Sequence, residues 1–127
     1  MIEPKAMAYV NLYGVLAALE NLCALDPKAQ KILKKISKPA ALCFEVKNGP
    51  CATLHFSKDG CKFTEGEEGS TCKMKFSSPA AFNNLIDHSR PGMLAKNPVQ
   101  VLSLLVGPFS SLTKRLTEVL RPTQEAL

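Results

Sequence analysis

Two hydrophobic periods meet in this chain, and together they restrict it to a mixed fold. Between Ala41 and Phe76 apolar residues alternate with polar ones, and from Pro98 to Leu120 the chain turns almost wholly apolar on helical spacing. A period of two describes strands with one buried face, whereas a period near 3.6 describes helices packed on a core. The 127 residues leave room for one domain, since domains commonly run to about 100–150 residues. At 46% hydrophobic and 21% charged residues, disorder is not expected.

The first segment is helical by the same test. Leu12, Val15, Leu16, Leu19, Leu22 and Cys23 keep the spacing of a helix stripe, predicting a helix from about Ala6 to Ala24. Asp26 before Pro27 is a cap and first-turn pair. A second helix should run to about Ile36, burying Ala29, Ile32, Leu33 and Ile36 with its lysines outward. Helices therefore occupy about 6–36.

Strands follow over about 40–77. Leu42, Phe44 and Val46 form one alternating set, and Ala52, Leu54 and Phe56 another, around Asn48-Gly49-Pro50. A two-residue Asn-Gly turn would set Val46 against Cys51 and Phe44 against Thr53, mixing the faces. A three-residue loop that includes Pro50 sets Val46 against Ala52, Phe44 against Leu54 and Leu42 against Phe56. The apolar pattern selects that register. Asp59-Gly60 makes the next turn, and Cys61, Phe63, Cys72, Met74 and Phe76 join the inner face. The expectation is an antiparallel meander with one buried and one wet face.

Helices return over about 79–121. Ser78 caps a helix starting at Pro79, with Phe82, Leu85 and Ile86 as its stripe and Ser89-Arg90-Pro91-Gly92 as its stop. Asn97-Pro98 opens an apolar run through Val106 that reads equally as a helix or a buried strand. After Gly107-Pro108, Phe109, Leu112, Leu116, Val119 and Leu120 resume a helical stripe. Arg121-Pro122 is expected to close it, leaving a loose tail.

Catalytic constellations are missing from this pattern. Strand parity puts Cys43 and Cys51 on the wet face and Cys61 and Cys72 on the buried one, so four thiolates cannot converge on a metal. Cys43 and His55 become cross-strand neighbours in the chosen register, the minimal pattern for an activated thiolate, but no third group orients them. His88 suits a helix C-terminus, where a cationic ring complements the dipole. No enzyme activity, metal or cofactor is expected. The odd count of 5 cysteines, with no apolar signal region after Met1, points to a reduced, cytoplasmic setting.

The net charge of +5 is largely local. Lys28, Lys31, Lys34, Lys35 and Lys38 form a solvated helix face, of which Lys28, Lys31, Lys35 and Lys38 suit transient contact with an anionic membrane. No platform of basic and aromatic residues is present, which argues against nucleic acid. The run Val101 to Val106 spans only about 9 Å as a helix, against a hydrocarbon core of about 30 Å.

The order of these elements resembles the sterol carrier protein type 2 lipid-transfer family. The residues that carry the likeness are 44–50 (Phe-Glu-Val-Lys-Asn-Gly-Pro), 76–85 (Phe-Ser-Ser-Pro-Ala-Ala-Phe-Asn-Asn-Leu) and 107–116 (Gly-Pro-Phe-Ser-Ser-Leu-Thr-Lys-Arg-Leu). Residues 11–16 are similar to the opening helix of small stand-alone bacterial members. The resemblance implies an α+β fold: an antiparallel-rich mixed sheet of about five strands, with helices on one face around a lipid tunnel. It implies binding of sterols, fatty acids, acyl thioesters or phospholipids without catalysis. The family's fifth strand should fall near Gly92 to Pro98, where this sequence alternates poorly. The ending Gln124-Glu125-Ala126-Leu127 is unlike a peroxisomal address, in keeping with a cytoplasmic setting.

The expected tunnel lining is Phe82, Leu85, Ile86, Met93, Val101, Leu104, Leu105, Phe109, Leu112 and Leu116, with Arg90, Lys96 and Lys114 for a headgroup. Packed core is the plain alternative for such stripes. A second functional alternative is a homodimer seam built from the apolar C-terminal segment, with no ligand.

Overall fold

The computed structural model describes residues 3–88, 93–96 and 107–126, with side chains over 3–84 and 107–119. Within these the order is α1 (Pro4–Leu25), α2 (Pro27–Lys34), β1 (Ala40–Val46), β2 (Cys51–Ser57), β3 (Gly60–Glu65) and β4 (Cys72–Phe76). Then follow α3 (Pro79–His88), β5 (Met93–Lys96) and α4 (Pro108–Ala126). The architecture is α+β.

Both expected N-terminal helices form. Pro4 and Pro27 occupy first-turn positions, where a missing N–H costs nothing. The Asp26 side chain accepts from the Ala29 amide at 3.0 Å, capping α2. Helix α2 stops two residues short of the expected end. Its last turn tightens, with Lys35 N–H donating to Ile32 and Ile36 N–H to Leu33. Ser78 caps α3 through the Ala81 amide at 3.1 Å. Helix α4 continues through Pro122 to Ala126, so the expected stop at Arg121-Pro122 is not one. Proline removes a single helical hydrogen bond there without ending the helix.

The β1–β2 hairpin keeps the expected side-chain parity but shifts its register. Phe44 lies opposite Ala52, Leu42 opposite Leu54 and Ala40 opposite Phe56, in place of the pairing that put Val46 against Ala52. The loop is three residues long, as expected, but comprises 47–49 and leaves Pro50 in the ladder. Val46 N–H donates to the Pro50 carbonyl at 2.9 Å. Pro50 has no N–H to return, so the Val46 carbonyl takes the Gly49 amide instead, also at 2.9 Å. Asn48 supplies the left-handed backbone, with φ 59°. A Cβ on Gly49 would lie 2.9 Å from Val46 Cγ1, so this approach needs glycine.

The meander ends at β3. The strand order is β3-β2-β1-β4-β5, with β4 parallel to β1 and the other pairs antiparallel. Four longer strands make the body of this mixed sheet, and Met93–Lys96 extends its edge against β4. To reach that place the chain must pass β2 and β1, about 14 Å at the usual strand spacing. Residues 66–71 make the passage, helped by positive φ at Gly66 and Gly69. A six-residue, glycine-broken segment reaches that far, whereas a tight hairpin would have kept β4 beside β3.

That passage covers the middle of the sheet's second face, which was expected to be wet, while Lys62 and Thr64 toward the β2–β3 end of that face stay exposed. Thr53 Oγ1 donates to the Gly66 carbonyl at 2.7 Å, and the Thr71 amide donates to the Ala41 carbonyl at 2.8 Å. Cys43 and Thr53 are 0% exposed. Lys73 is buried there as well, paired with Glu67 and lying 3.5 Å from Glu45. Those carboxylates, Glu67 first, raise its pKa, so the ammonium is retained under the crossover.

The other face carries Leu42, Phe44, Leu54, Phe56, Met74 and Phe76 into the main core with Leu12, Leu16 and Leu19 of α1. Helix α1 packs on β3 and α3. Glu20 Oε1 accepts from the Phe63 amide at 3.2 Å, satisfying an edge-strand donor. Asn83, buried on α3, donates to the Pro4 carbonyl at 2.9 Å and accepts from Asn11 at 3.3 Å.

Replacing Thr53 with Val keeps the shape and removes the bond that anchors the crossover. The variant should lose about 1 kcal/mol in urea unfolding. An unchanged midpoint would show that the crossover is held elsewhere.

Candidate functional site

The part of the sequence-derived lining that α4 carries lies against the apolar sheet face. Helix α4 places Phe109, Leu112 and Leu116 at intervals of three and four residues, one stripe on one side. The Phe109 ring centroid sits 5.8 Å from that of Phe44 and 6.3 Å from that of Phe56, the latter edge-on. Leu112 is fully buried, whereas Phe109 and Leu116 are half-buried against the same core. The inner stripe of α4 thus keeps accessible apolar surface on either side of its sealed centre.

A polar clamp fixes this helix. Arg115 Nε and Nη2 meet the two oxygens of Asp26 at 2.8 and 2.9 Å, a bidentate fork. Asp26 is the residue that caps α2, so one carboxylate joins α2 to α4. Glu118 adds a longer contact to Arg115 Nη1 at 3.5 Å. The Arg115 guanidinium, with the Ala29 amide in support, holds the Asp26 carboxyl below its usual range against the opposing effect of burial.

The sequence-derived lining divides into three groups. Leu112 belongs to the core, and Phe82 does too, edge-on to Phe76 with centroids 5.0 Å apart. Phe109 and Leu116 line the layer between helix and sheet. Arg90, Val101, Leu104 and Leu105 lie outside the described residues, as do the side chains of Leu85, Ile86, Met93 and Lys96. Lys114 is exposed on α4, as are Lys28, Lys31, Lys35 and Lys38 near α2.

The activated-thiolate pattern does not form. The register shift sets His55 opposite Ala41 and Lys62 rather than Cys43. Its Nε2 lies 3.0 Å from Thr64 Oγ1 instead. Cys43 is fully buried in the covered middle of the second face, its sulfur 3.7 Å from that of Cys51. Among the described residues no three His, Cys, Asp or Glu side chains converge on a metal position.

Two clefts open at the far end of the sheet, on either side of the β2–β3 turn. One, of about 460 Å³, runs past Pro39, Ala40, His55, Phe56 and Lys62. The other, of about 440 Å³, lies between α1, α2 and the turn, past Glu20, Cys23, Leu33, Lys34 and Lys58. Sequence reasoning missed both, because they depend on how the turn stands against the helices. Helix α1 also passed unnoticed as one long and apolar enough to cross a membrane by length and composition; here a third of that stretch is buried.

The fold is similar to that of a solved chain titled "UbiJ-SCP2 Ubiquinone synthesis protein". The two share 16% identity over 87% of this chain and 98% of that one, with a TM-score of 0.50. No protein-family model and no curated protein matches the sequence. The fold is SCP2-like.

Stability should report the Asp26–Arg115 clamp. A depressed carboxyl stabilises the fold above its unfolded pKa, and that contribution is lost as pH falls through the depressed value. Wild type should therefore unfold at higher temperature than Asp26→Asn near neutrality, and its advantage should shrink below about pH 4. Parallel thermal melts of the two proteins between neutral and acidic pH check this.

Proposed function

We propose that this SCP2-like domain binds a lipid or fatty-acyl amphiphile non-catalytically, between the sheet and its C-terminal helices. The supporting observation is the incomplete closure of the α4 stripe, where Phe109 and Leu116 stay half-buried beside a sealed Leu112. Each methylene buried against such a surface contributes about 0.8 kcal/mol. Ten of them would gross roughly 8 kcal/mol before ordering costs, enough for useful affinity. The SCP2-like fold fits this reading. The neighbour's title concerns ubiquinone synthesis, which makes a polyprenyl quinone a sensible probe beside an acyl chain.

In this reading Arg90, Lys96 and Lys114 meet a headgroup, and the α2 lysines assist encounter with anionic bilayers. In this reading the protein is a bacterial one working in the cytoplasm. The competing reading, a ligand-free homodimer, would use the same apolar material as a seam.

Native mass spectrometry of protein purified from its own source tests the proposal, followed by titration with a fluorescent fatty acid. A co-purifying amphiphile is expected. Phe109→Ala should bind the probe about tenfold more weakly, a loss of about 1.4 kcal/mol, with its far-UV circular dichroism unchanged. A bare monomer that ignores both acyl and polyprenyl probes would end the lipid reading. A ligand-free dimer that Phe109→Ala separates would favour the seam.

A further inference from the structure

Four of the five cysteines stand in two pairs, and the pairs are not equivalent. Cys43 and Cys51 lie across the β1–β2 hairpin, their sulfurs 3.7 Å apart. Cys43 is opposite Thr53, however, so Cys51 is its diagonal neighbour. Diagonal Cα atoms are about 7–8 Å apart, beyond the roughly 4.4–6.8 Å that a disulfide usually spans. Burial beside Cys43 also pushes the Cys51 thiol up to about 12, which keeps it protonated and unreactive.

Cys23 and Cys61 are placed differently. Cys23 sits in the last turns of α1 and Cys61 is the second residue of β3, two elements that pack together. Both are in the main core, 3% and 7% exposed, yet both line the cleft of about 440 Å³ between α1, α2 and the β2–β3 turn. Each thiol perturbs the other, Cys61 holding Cys23 below the usual thiol range and Cys23 pushing Cys61 up. Burial and Asp26 oppose the effect on Cys23, and Glu20 adds to the one on Cys61. Glu20, Lys34, Lys58 and Asp59 are the charged residues around the cleft.

We infer that Cys23 and Cys61 form an oxidisable dithiol that closes to a disulfide with hydrogen peroxide, stapling α1 to the edge strand of the sheet, while Cys43 and Cys51 remain thiols. Peroxide is small enough to enter the cleft. The Cys23 thiolate attacks one peroxide oxygen, the O–O bond breaks, and hydroxide leaves to be protonated by solvent. This yields a sulfenic acid on Cys23. The Cys61 sulfur then attacks the Cys23 sulfur, the S–O bond breaks, and the departing hydroxide takes the Cys61 proton. Two thiols and one peroxide become one disulfide and two waters. The inference is independent of any lipid.

The test exposes the full-length reduced protein to hydrogen peroxide near neutral pH, blocks the remaining thiols with N-ethylmaleimide, and maps peptides without reduction. A Cys23–Cys61 linked peptide is expected in wild type and in Cys43→Ser, reversed by dithiothreitol. Cys61→Ala should give no link and should accumulate further-oxidised Cys23. The oxidised wild type should melt at higher temperature than its reduced form. Recovery of Cys23 and Cys61 as blocked thiols, or a link between Cys43 and Cys51, would overturn the inference. If Cys61→Ala does not fold, the wild-type and Cys43→Ser maps decide alone.

Discussion

The carboxylate of Asp26 takes donors from its own helix start and from Arg115, 89 residues farther along the chain. From its own side it receives the Ala29 amide at the start of α2; from the far side it receives two nitrogens of Arg115. Apolar stripes alone would let α4 slide along the sheet, because burial is non-directional. A bidentate fork is directional and fixes the helix in rotation and in height. The positions of Phe109, Leu112 and Leu116 over the aromatic sheet face therefore depend on a polar contact at the margin of the layer. Both side chains are partly shielded from water, which limits screening by salt.

The crossover at 66–71 has the complementary effect on the opposite face. Parallel strand pairs are commonly covered on both sides, and β1 lies parallel to β4 at the centre of this sheet. Six residues take the part that a helix plays in larger folds. Their backbone is tied to the sheet through Cys51, Thr53 and Ala41, and Lys73 is neutralised by Glu67 and Glu45 from the crossover and the neighbouring strand.

Sequence periodicity was enough to find α1, α2, α3, β1 and β2 and the side on which their apolar residues fall. Parity survives a two-residue shift, which is why the inner face was legible while the pairing of Phe44 was not. The shift came from Pro50, whose carbonyl could join the ladder although its nitrogen could not. The place of β4 was hidden for another reason. A polar run such as Glu65 to Ser70 looks alike whether it turns back or crosses over, and only contacts with Thr53 and Ala41 separate the two. Of the site, the α4 stripe was legible from spacing. The Asp26–Arg115 fork was not, because nothing local marks two residues so distant as partners. The pairing of Cys23 with Cys61 was hidden likewise.

Helix α1 packs against β3 and α3, whose residues come tens of positions later in the chain. During synthesis from the N-terminus, this long and largely uncharged helix emerges well before the surfaces that cover it. Its Leu12, Leu16 and Leu19 are then open to any apolar partner at hand, including chaperones and the newly made helices of other copies. The domain's productive yield should thus depend on how quickly its middle third is translated.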